Sequence, residues 1–199
     1  MKQIIAMLAL AGLAVGCGKT EEEVTATATA IAELAGTWST GCTNPSEGEY
    51  KKDSYIHSGL TLTRSMISYS DAACATKYLT FDITGTVTSP GDATTPAGAK
   101  KLNFTYVSAT ATIHTDAIVT AANASSLCGY TDFVKDVPKS VLGKTCGSGR
   151  AIGNTGEVGY DVYKITGTTL QLGDEDTVTG TPSDTNRPTA LETTTFTKQ

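Results

Sequence analysis

The chain has 199 residues, with 20 acidic against 15 basic side chains and a formal net charge of −5 at pH 7. This acidic, sparsely charged composition argues against nucleic acid or anionic lipid headgroups as binding partners, because both require clustered Lys and Arg. Threonine is the commonest residue, glycine is abundant and leucine is scarce. Since threonine suits pleated strands and glycine is common in turns, the composition favours an all-β domain.

The N-terminal segment has the layout of a secretory signal. Lys2 precedes a short apolar run at 4–13, and the small residues at 14–16 lie directly before Cys17. The run is too short to span a bilayer, which requires about 20 apolar residues. We therefore predict a signal peptide at residues 1–16.

The end of this segment resembles the lipobox of bacterial lipoproteins, in which small residues precede a cysteine that receives the lipid. The resemblance implies that Cys17 is lipidated and anchors the protein to a membrane of the cell envelope. In such lipoproteins an Asp directly after the cysteine favours retention in the inner membrane. Gly18 occupies that position here, which implies the outer membrane, at either its periplasmic or its surface face.

The segment that follows is poor in large apolar residues. Residues 17–32 contain three consecutive glutamates and then alternating Thr and Ala. We interpret them as the lipidated cysteine and a flexible tether, with the folded domain at 33–199. An alternative for the end of the tether is a helix cap region that leads into 31–34.

Four cysteines remain once Cys17 is assigned to the lipid: Cys42, Cys74, Cys128 and Cys146. An even number in an exported chain predicts two disulfides, because the compartment is oxidising. Three pairings are possible, and we favour Cys42–Cys74 and Cys128–Cys146 because each closes a local excursion of the chain. No two cysteines have the two-to-four-residue spacing typical of zinc sites, so we predict no metal.

The clearest predicted strand covers 77–88, where large apolar side chains alternate with Thr and Asp, as on a sheet with one buried face. Its hairpin partner covers 100–112. The apolar positions of this partner slip by one residue at Val107, which indicates a β-bulge.

The other predicted elements are shorter. Asp116 is placed to cap a short helix, and Trp38, the only tryptophan, is expected to fill the core near the start of the domain. We expect about eight strands and one short helix, joined by disulfide-stapled loops. The remaining predicted strands include 54–69, with a second strand able to follow from Ser65, and 156–166, 168–172 and 188–198.

These strands are compatible with an antiparallel barrel, which encloses room for a small ligand, or with a β-sandwich, which fills its core. Gly36-Thr37-Trp38 resembles the opening motif of the lipocalin and calycin barrels, in which Gly-x-Trp begins the first strand. The resemblance implies a lipocalin-like barrel. It also implies that a basic residue late in the chain, Arg187 or Lys198, covers the indole.

A second resemblance is spread more widely along the chain. Gly36-Thr37-Trp38 before Cys42, the segment 69–74, and Arg187-Pro188-Thr189 are similar to the extracellular β-domains of the adenomatosis-polyposis-coli-down-regulated family. This resemblance implies a barrel that binds lipid-like molecules. Both resemblances therefore imply a barrel that holds an apolar ligand.

Aromatic side chains are the candidate ligand-binding residues. Tyr106 and Tyr160 share a face with apolar neighbours, so we expect them, together with Trp38, to line a pocket. The opposing interpretation is that the tyrosines fill strand ends and cover the sheet.

We predict no enzymatic site, no metal and no cofactor. Only His57 and His114 could act as bases near neutral pH, and isolated histidines in an exported β-protein are usually surface or rim residues. The acidic loop at 173–176 lacks the spacing of an EF-hand, so we interpret it as a solvated loop.

The sequence therefore leads to one main hypothesis and one alternative. The main hypothesis is an outer-membrane lipoprotein with a lipocalin-like barrel that binds a small hydrophobic or lipid-like ligand. The alternative is a structural or surface lipoprotein with a filled β-domain that binds a protein partner, whose identity the sequence does not indicate.

Overall fold

Ten β-strands form one antiparallel sheet in the computed structural model, which describes residues 32–46, 48–146 and 152–199. The predicted signal peptide 1–16, Cys17 and the tether up to residue 31 lie outside the described residues. The strands are β1 Gly36–Ser39, β2 Thr43–Ser46, β3 Glu49–Ser58, β4 Thr61–Tyr69, β5 Lys77–Thr88, β6 Lys100–Ile113, β7 Lys139–Ser140, β8 Val158–Thr166, β9 Thr169–Leu172 and β10 Phe196–Lys198.

Eight of these strands close into a barrel, which confirms the predicted all-β architecture. They lie in the order β1, β10, β9, β8, β6, β5, β4 and β3, and β3 pairs back with β1. All of the pairings are antiparallel, and β2 and β7 add to the barrel as short extra strands. An eight-stranded barrel has an interior just wide enough for side chains or one small ligand.

The predicted hairpin is present as β5 and β6, with the predicted bulge, and β6 ends at Ile113, one residue beyond the predicted end. Thr84 pairs with Ser108 while Gly85 pairs with Tyr106, so Val107 is the extra residue. The bulge keeps apolar side chains on the interior face on both sides of the slip. Gly85 is required there because a Cβ would overlap the Phe104 ring and the Thr105 carbonyl oxygen.

The predicted strand at 54–69 is wrong as a single strand. β3 ends at Ser58 and β4 begins at Thr61. Gly59, with a left-handed φ of +59°, makes the tight turn between them. Leu60, expected in the strand, lies in that turn with an exposed side chain.

The C-terminal strand is shorter than predicted. Residues 188–195 lie outside any strand, and only Phe196–Lys198 pairs, with β1 and β9. Pro188 has no N–H to contribute to a ladder, and Leu191 makes only an isolated bridge to Gly173. This irregular segment covers the side of the barrel next to β8 and β9.

The predicted helix is present over Asp116–Ala124, but its cap is not Asp116. The Thr115 side chain accepts the hydrogen bond from the Ile118 N–H, and Asp116 lies in the first turn. A threonine in extended conformation can receive this bond, whereas an aspartate already inside the helix cannot.

No helix within the described residues is long and apolar enough to cross a membrane.

Both predicted disulfides are confirmed: Cys42 is bonded to Cys74, and Cys128 to Cys146. The second bridge closes a loop at the C-terminal end of β6. This loop contributes to a separate apolar cluster that includes Ile113 and Val141. The main cluster fills the opposite end of the barrel around Trp38, which is 1% exposed.

Candidate functional site

The structure contains two adjoining cavities bordered by the barrel strands β3, β4, β8 and β9. We call them the aromatic cavity, of about 100 Å³, and the acidic recess, of about 310 Å³. Neither is fully enclosed. The two share five lining residues, which are Tyr55, Arg64, Asp161, Leu172 and Glu175.

Side chains from the central strands form the wall of the aromatic cavity. Leu62, Ile83 and Leu102 line it. Phe104 and Tyr106, two residues apart on β6, meet edge to face with ring centroids 4.8 Å apart. Such a pair is stabilised beyond its buried area, so this part of the wall is rigid and apolar.

Of the predicted ligand-binding residues, Tyr106 and Tyr160 line the aromatic cavity and Trp38 lines neither cavity. The Trp38 indole N–H instead donates to the Leu34 carbonyl oxygen at 2.7 Å. Lys198, and not Arg187, covers the indole, with Nζ 5.1 Å from the ring centroid. Trp38 therefore fills the closed end of the barrel.

Arg187 supports the cavity wall instead. Its guanidinium lies 5.2 Å from the centroid of the Tyr160 ring. Its Nη1 donates to the carbonyl oxygens of Leu102 and Asp161, at 3.0 and 2.8 Å. Because Arg187 is only 7% exposed, these bonds hold the C-terminal loop and Tyr160 against the barrel.

A cationic side chain lies where the two cavities meet. Arg64 Nη2 donates to Asp53 Oδ2 at 3.0 Å, and the guanidinium lies 5.4 Å from the Tyr55 ring centroid. Arg64 Nε is buried with no hydrogen-bond partner among the described residues. Burial raises the pKa of the Tyr55 hydroxyl above its usual range, which keeps it neutral.

Asp161 is the carboxylate that both cavities share on β8. Its Oδ1 accepts the backbone N–H of Val162 at 2.7 Å and of Gly173 at 3.1 Å. Burial raises the pKa of Asp161 to about 7, and repulsion from Glu175 and Glu192 adds to the rise while the two N–H groups oppose it. Asp161 therefore changes charge near neutral pH.

The remaining carboxylates of the acidic recess come from the loop after β9 and from the C-terminal segment. The loop carboxylates at 173–176 are solvated, and they also form one wall of the recess. Glu192 faces them, and its pKa is raised by burial and by the neighbouring carboxylates, although Arg64 opposes the rise. The lining acids are Asp161, Asp174, Glu175, Asp176 and Glu192.

The sequence contained a signal for this site that periodicity alone did not reveal. Asp161 is an acidic residue between apolar and aromatic neighbours, Tyr160 and Val162, inside strand β8. A charged side chain at such a position requires a partner or a cavity.

Within the described ranges, no three His, Cys, Asp or Glu side chains are grouped so that they could hold a metal ion.

The two histidines lie far apart. In strand register His57 lies seven residues from the level of His114, roughly 23 Å along the strands. His57 is 3% exposed, neither ring nitrogen has a partner in the part of the chain that the structure describes, and burial lowers its pKa. It lines neither cavity.

His114 lies in a short hydrogen-bonded chain. Its Nδ1 is 2.7 Å from Asp136 Oδ1 and its Nε2 is 3.0 Å from Thr80 Oγ1. The order Thr80, His114, Asp136 resembles the order of nucleophile, base and acid in a catalytic triad. However, Thr80 is 8% exposed and lines neither cavity, so this chain ties the loop at Asp136 to the hairpin.

Comparison with models of protein families finds no match for the chain, and comparison with curated proteins finds none. The chemistry of the two cavities is therefore the indication of function. They offer an aromatic wall next to a set of carboxylates.

Proposed function

We propose that this protein is an outer-membrane lipoprotein, anchored through Cys17, whose β-barrel binds a small hydrophobic or lipid-like molecule. The observation that carries the proposal is the aromatic cavity inside the barrel, lined by Phe104, Tyr106 and Tyr160. Protein interiors are normally packed as densely as organic crystals. A cavity with an aromatic and aliphatic wall is therefore the default hypothesis for a binding site.

A glycine in the cavity wall supports the proposal. The nearest contacts of a Cβ at Gly159 would be the Tyr106 ring, the Phe104 carbonyl oxygen and the Tyr106 hydroxyl, at ordinary contact distances of 3.6–3.8 Å. The backbone there has no left-handed φ that would require glycine. A side chain at 159 would therefore fit, and glycine leaves this volume open.

The cavity also distinguishes the proposal from the alternative of a filled β-domain with a protein partner. A filled domain needs no cavity, whereas a ligand-binding barrel does. The large apolar residues Ile56, in β3, and Leu60, in the β3–β4 turn, are exposed. Scattered exposed residues of this kind are normal on soluble surfaces and do not by themselves indicate a partner.

The attachment part of the proposal depends on the lipobox-like sequence before Cys17. At the start of the described chain, Glu33 Oε1 accepts hydrogen bonds from Lys100 Nζ and from the Tyr163 hydroxyl, both at 2.8 Å. Residue 33 is therefore already bound to the barrel. A tether at 17–32 would lead from the membrane to this point.

The binding test is organic extraction of protein purified from envelope membranes, followed by mass spectrometry. Gly159→Leu fills the aromatic cavity, while Gly41→Leu adds the same side chain at an exposed site with no atom within 4 Å of its Cβ. We expect an apolar small molecule from the wild type and from Gly41→Leu, and loss of it from Gly159→Leu. Empty extracts from all three proteins would contradict the proposal.

The anchor is tested with Cys17→Ser. We expect the wild type to partition into the detergent phase of a Triton X-114 separation and the variant to partition into the aqueous phase. A variant that still enters the detergent phase would refute lipidation at Cys17.

A further inference from the structure

We propose that the ligand carries a positively charged amine, with its apolar body in the aromatic cavity and its amine in the acidic recess. This inference rests on the proposed function and specifies the chemical class of the ligand. The inference is based on the position of the two cavities, which adjoin and share Tyr55, Arg64 and Asp161 as lining residues. The proposed ligand extends past these side chains from one cavity into the other.

The charge balance of the recess favours a cation. Five carboxylates and one guanidinium line it. The guanidinium of Arg64 is already paired with Asp53, at 3.0 Å. An anionic headgroup, such as that of a fatty acid, would approach an Arg64 charge that is already neutralised and would meet the excess of carboxylates.

The position of the carboxylates strengthens the argument. Asp161 and Glu192 are half-buried, and each is repelled by Glu175. Bringing like charges together in poorly solvated surroundings costs free energy that a bound cation recovers. The cation would form charge-assisted hydrogen bonds with carboxylate oxygens that line the recess.

An organic amine fits better than a metal ion. Across the described residues, no three acidic or other ligating side chains are close enough together to hold a metal. The recess is instead continuous with an apolar wall that includes Phe104 and Tyr106. A molecule with an apolar body and one ammonium group matches both parts.

The first test compares octylamine, octanol and octanoate, which share one alkyl chain and differ in head-group charge. Binding to the full-length protein is measured by isothermal titration calorimetry at pH 8 and low salt. We expect octylamine to bind at least tenfold more tightly than octanol, and octanoate to bind most weakly. Equal affinities, or tightest binding of octanoate, would overturn the amine inference while leaving apolar binding in place. No binding of any of the three would overturn both.

The second test removes one carboxylate charge at a time. Asp161→Asn keeps an oxygen that can accept from Val162 and Gly173, and Glu192→Gln changes the facing acid. We expect each to lower the preference for octylamine over octanol by about tenfold and to leave octanol binding unchanged. Asp116→Asn, at a side chain that is 85% exposed, is the matched control. An unchanged preference in both cavity variants would overturn the inference.

The preference for the amine is also expected to fall between pH 8 and pH 6. Asp161 takes up a proton in this range, which removes one of the attracting charges. The charged and titratable groups facing it from the packed elements are Tyr55, Arg64, Asp174, Glu175, Asp176 and Glu192. A preference independent of pH would contradict a role for Asp161 in amine binding.

Discussion

Asp161 Oδ1 accepts the backbone N–H of Gly173 at 3.1 Å, which joins the middle of β8 to the start of the acidic loop. A Cβ at residue 173 would lie 2.5 Å from that oxygen and 2.5 Å from Pro188 Cβ. The approach of carboxylate to backbone is therefore possible only with glycine. This hydrogen bond holds the acidic loop, which forms one wall of the acidic recess, against β8.

We predict that Gly173→Ala destabilises the fold by about 1–3 kcal/mol, because the added methyl group forces apart packed groups that lack room to move. The measurement is urea unfolding followed by circular dichroism. Gly41→Ala, where no atom lies within 4 Å of the new Cβ, is the control and should change stability by less than about 0.5 kcal/mol. Equal stability of the two variants would show that β8 and the loop are not packed in this way.

The pH dependence of stability is expected to show the raised pKa of Asp161, at about 7. Its value in the unfolded chain is about 3.9, so between pH 4 and pH 7 the folded state binds the proton more tightly. The contribution of this residue to stability is therefore greatest below pH 4, decreases as the pH rises to 7, and is constant above.

A complete shift of this size would amount to about 4 kcal/mol, and we expect about 2 kcal/mol because water in the recess screens the carboxylate. The measurement is the difference in unfolding free energy between Asp161→Asn and the wild type at several pH values. The variant should gain stability relative to the wild type as the pH rises from 4 to 7. A difference that does not vary with pH would contradict the raised pKa.

Lys198 is expected to stabilise the closed end of the barrel through its position over Trp38. Lys198→Met keeps most of the aliphatic contact and removes the charge, so we predict a loss of about 0.5–1 kcal/mol. The same replacement at the exposed Lys52 provides the comparison. Urea unfolding followed by tryptophan fluorescence measures both, and similar losses in the two variants would argue against a cation–π contact.

The Cys128–Cys146 bridge is expected to hold the loop that covers the apolar cluster at the end of β6. Replacing both cysteines by serine frees a loop with a sequence separation of 18 residues, for which we predict a loss of about 3 kcal/mol. Thermal unfolding measures the change. Octanol binding should persist, because neither cysteine lines a cavity. Loss of that binding in a folded variant would show that the loop shapes the site.

Local sequence pattern was sufficient for the elements whose signal lies within one strand or one hairpin. The alternation over Lys77–Thr88 and the slip at Val107 predicted a strand and a bulge that the structure has at those positions. Successive side chains of a strand point to opposite faces of the sheet, so an alternating sequence predicts a strand and a one-residue slip predicts a bulge. Gly59 was missed because Leu60 and Leu62, which both follow it, alternate with Thr61 and Thr63 as residues of a strand do.

The candidate site could be predicted only in part. Tyr106 and Tyr160 were identified from their apolar neighbours, and both line the aromatic cavity. Trp38, chosen from the opening motif, lines neither cavity. Aromatic residues on an interior face can fill the core or border a cavity, and sequence does not contain the distance that separates the two cases.

The sequence by itself determined the all-β class and the hairpin of β5 and β6, because both depend on contacts between neighbouring parts of the chain. It favoured the pairings Cys42–Cys74 and Cys128–Cys146, but only the tertiary structure decided among the three possible connectivities. Only the tertiary structure decided that Lys198 covers Trp38, since this follows from the pairing of β1 with β10 across the closed barrel. Likewise, Asp161 meets Glu192 only where β8 faces the C-terminal segment. The position of a charge relative to a distant strand depends on barrel closure, and closure depends on every strand register together.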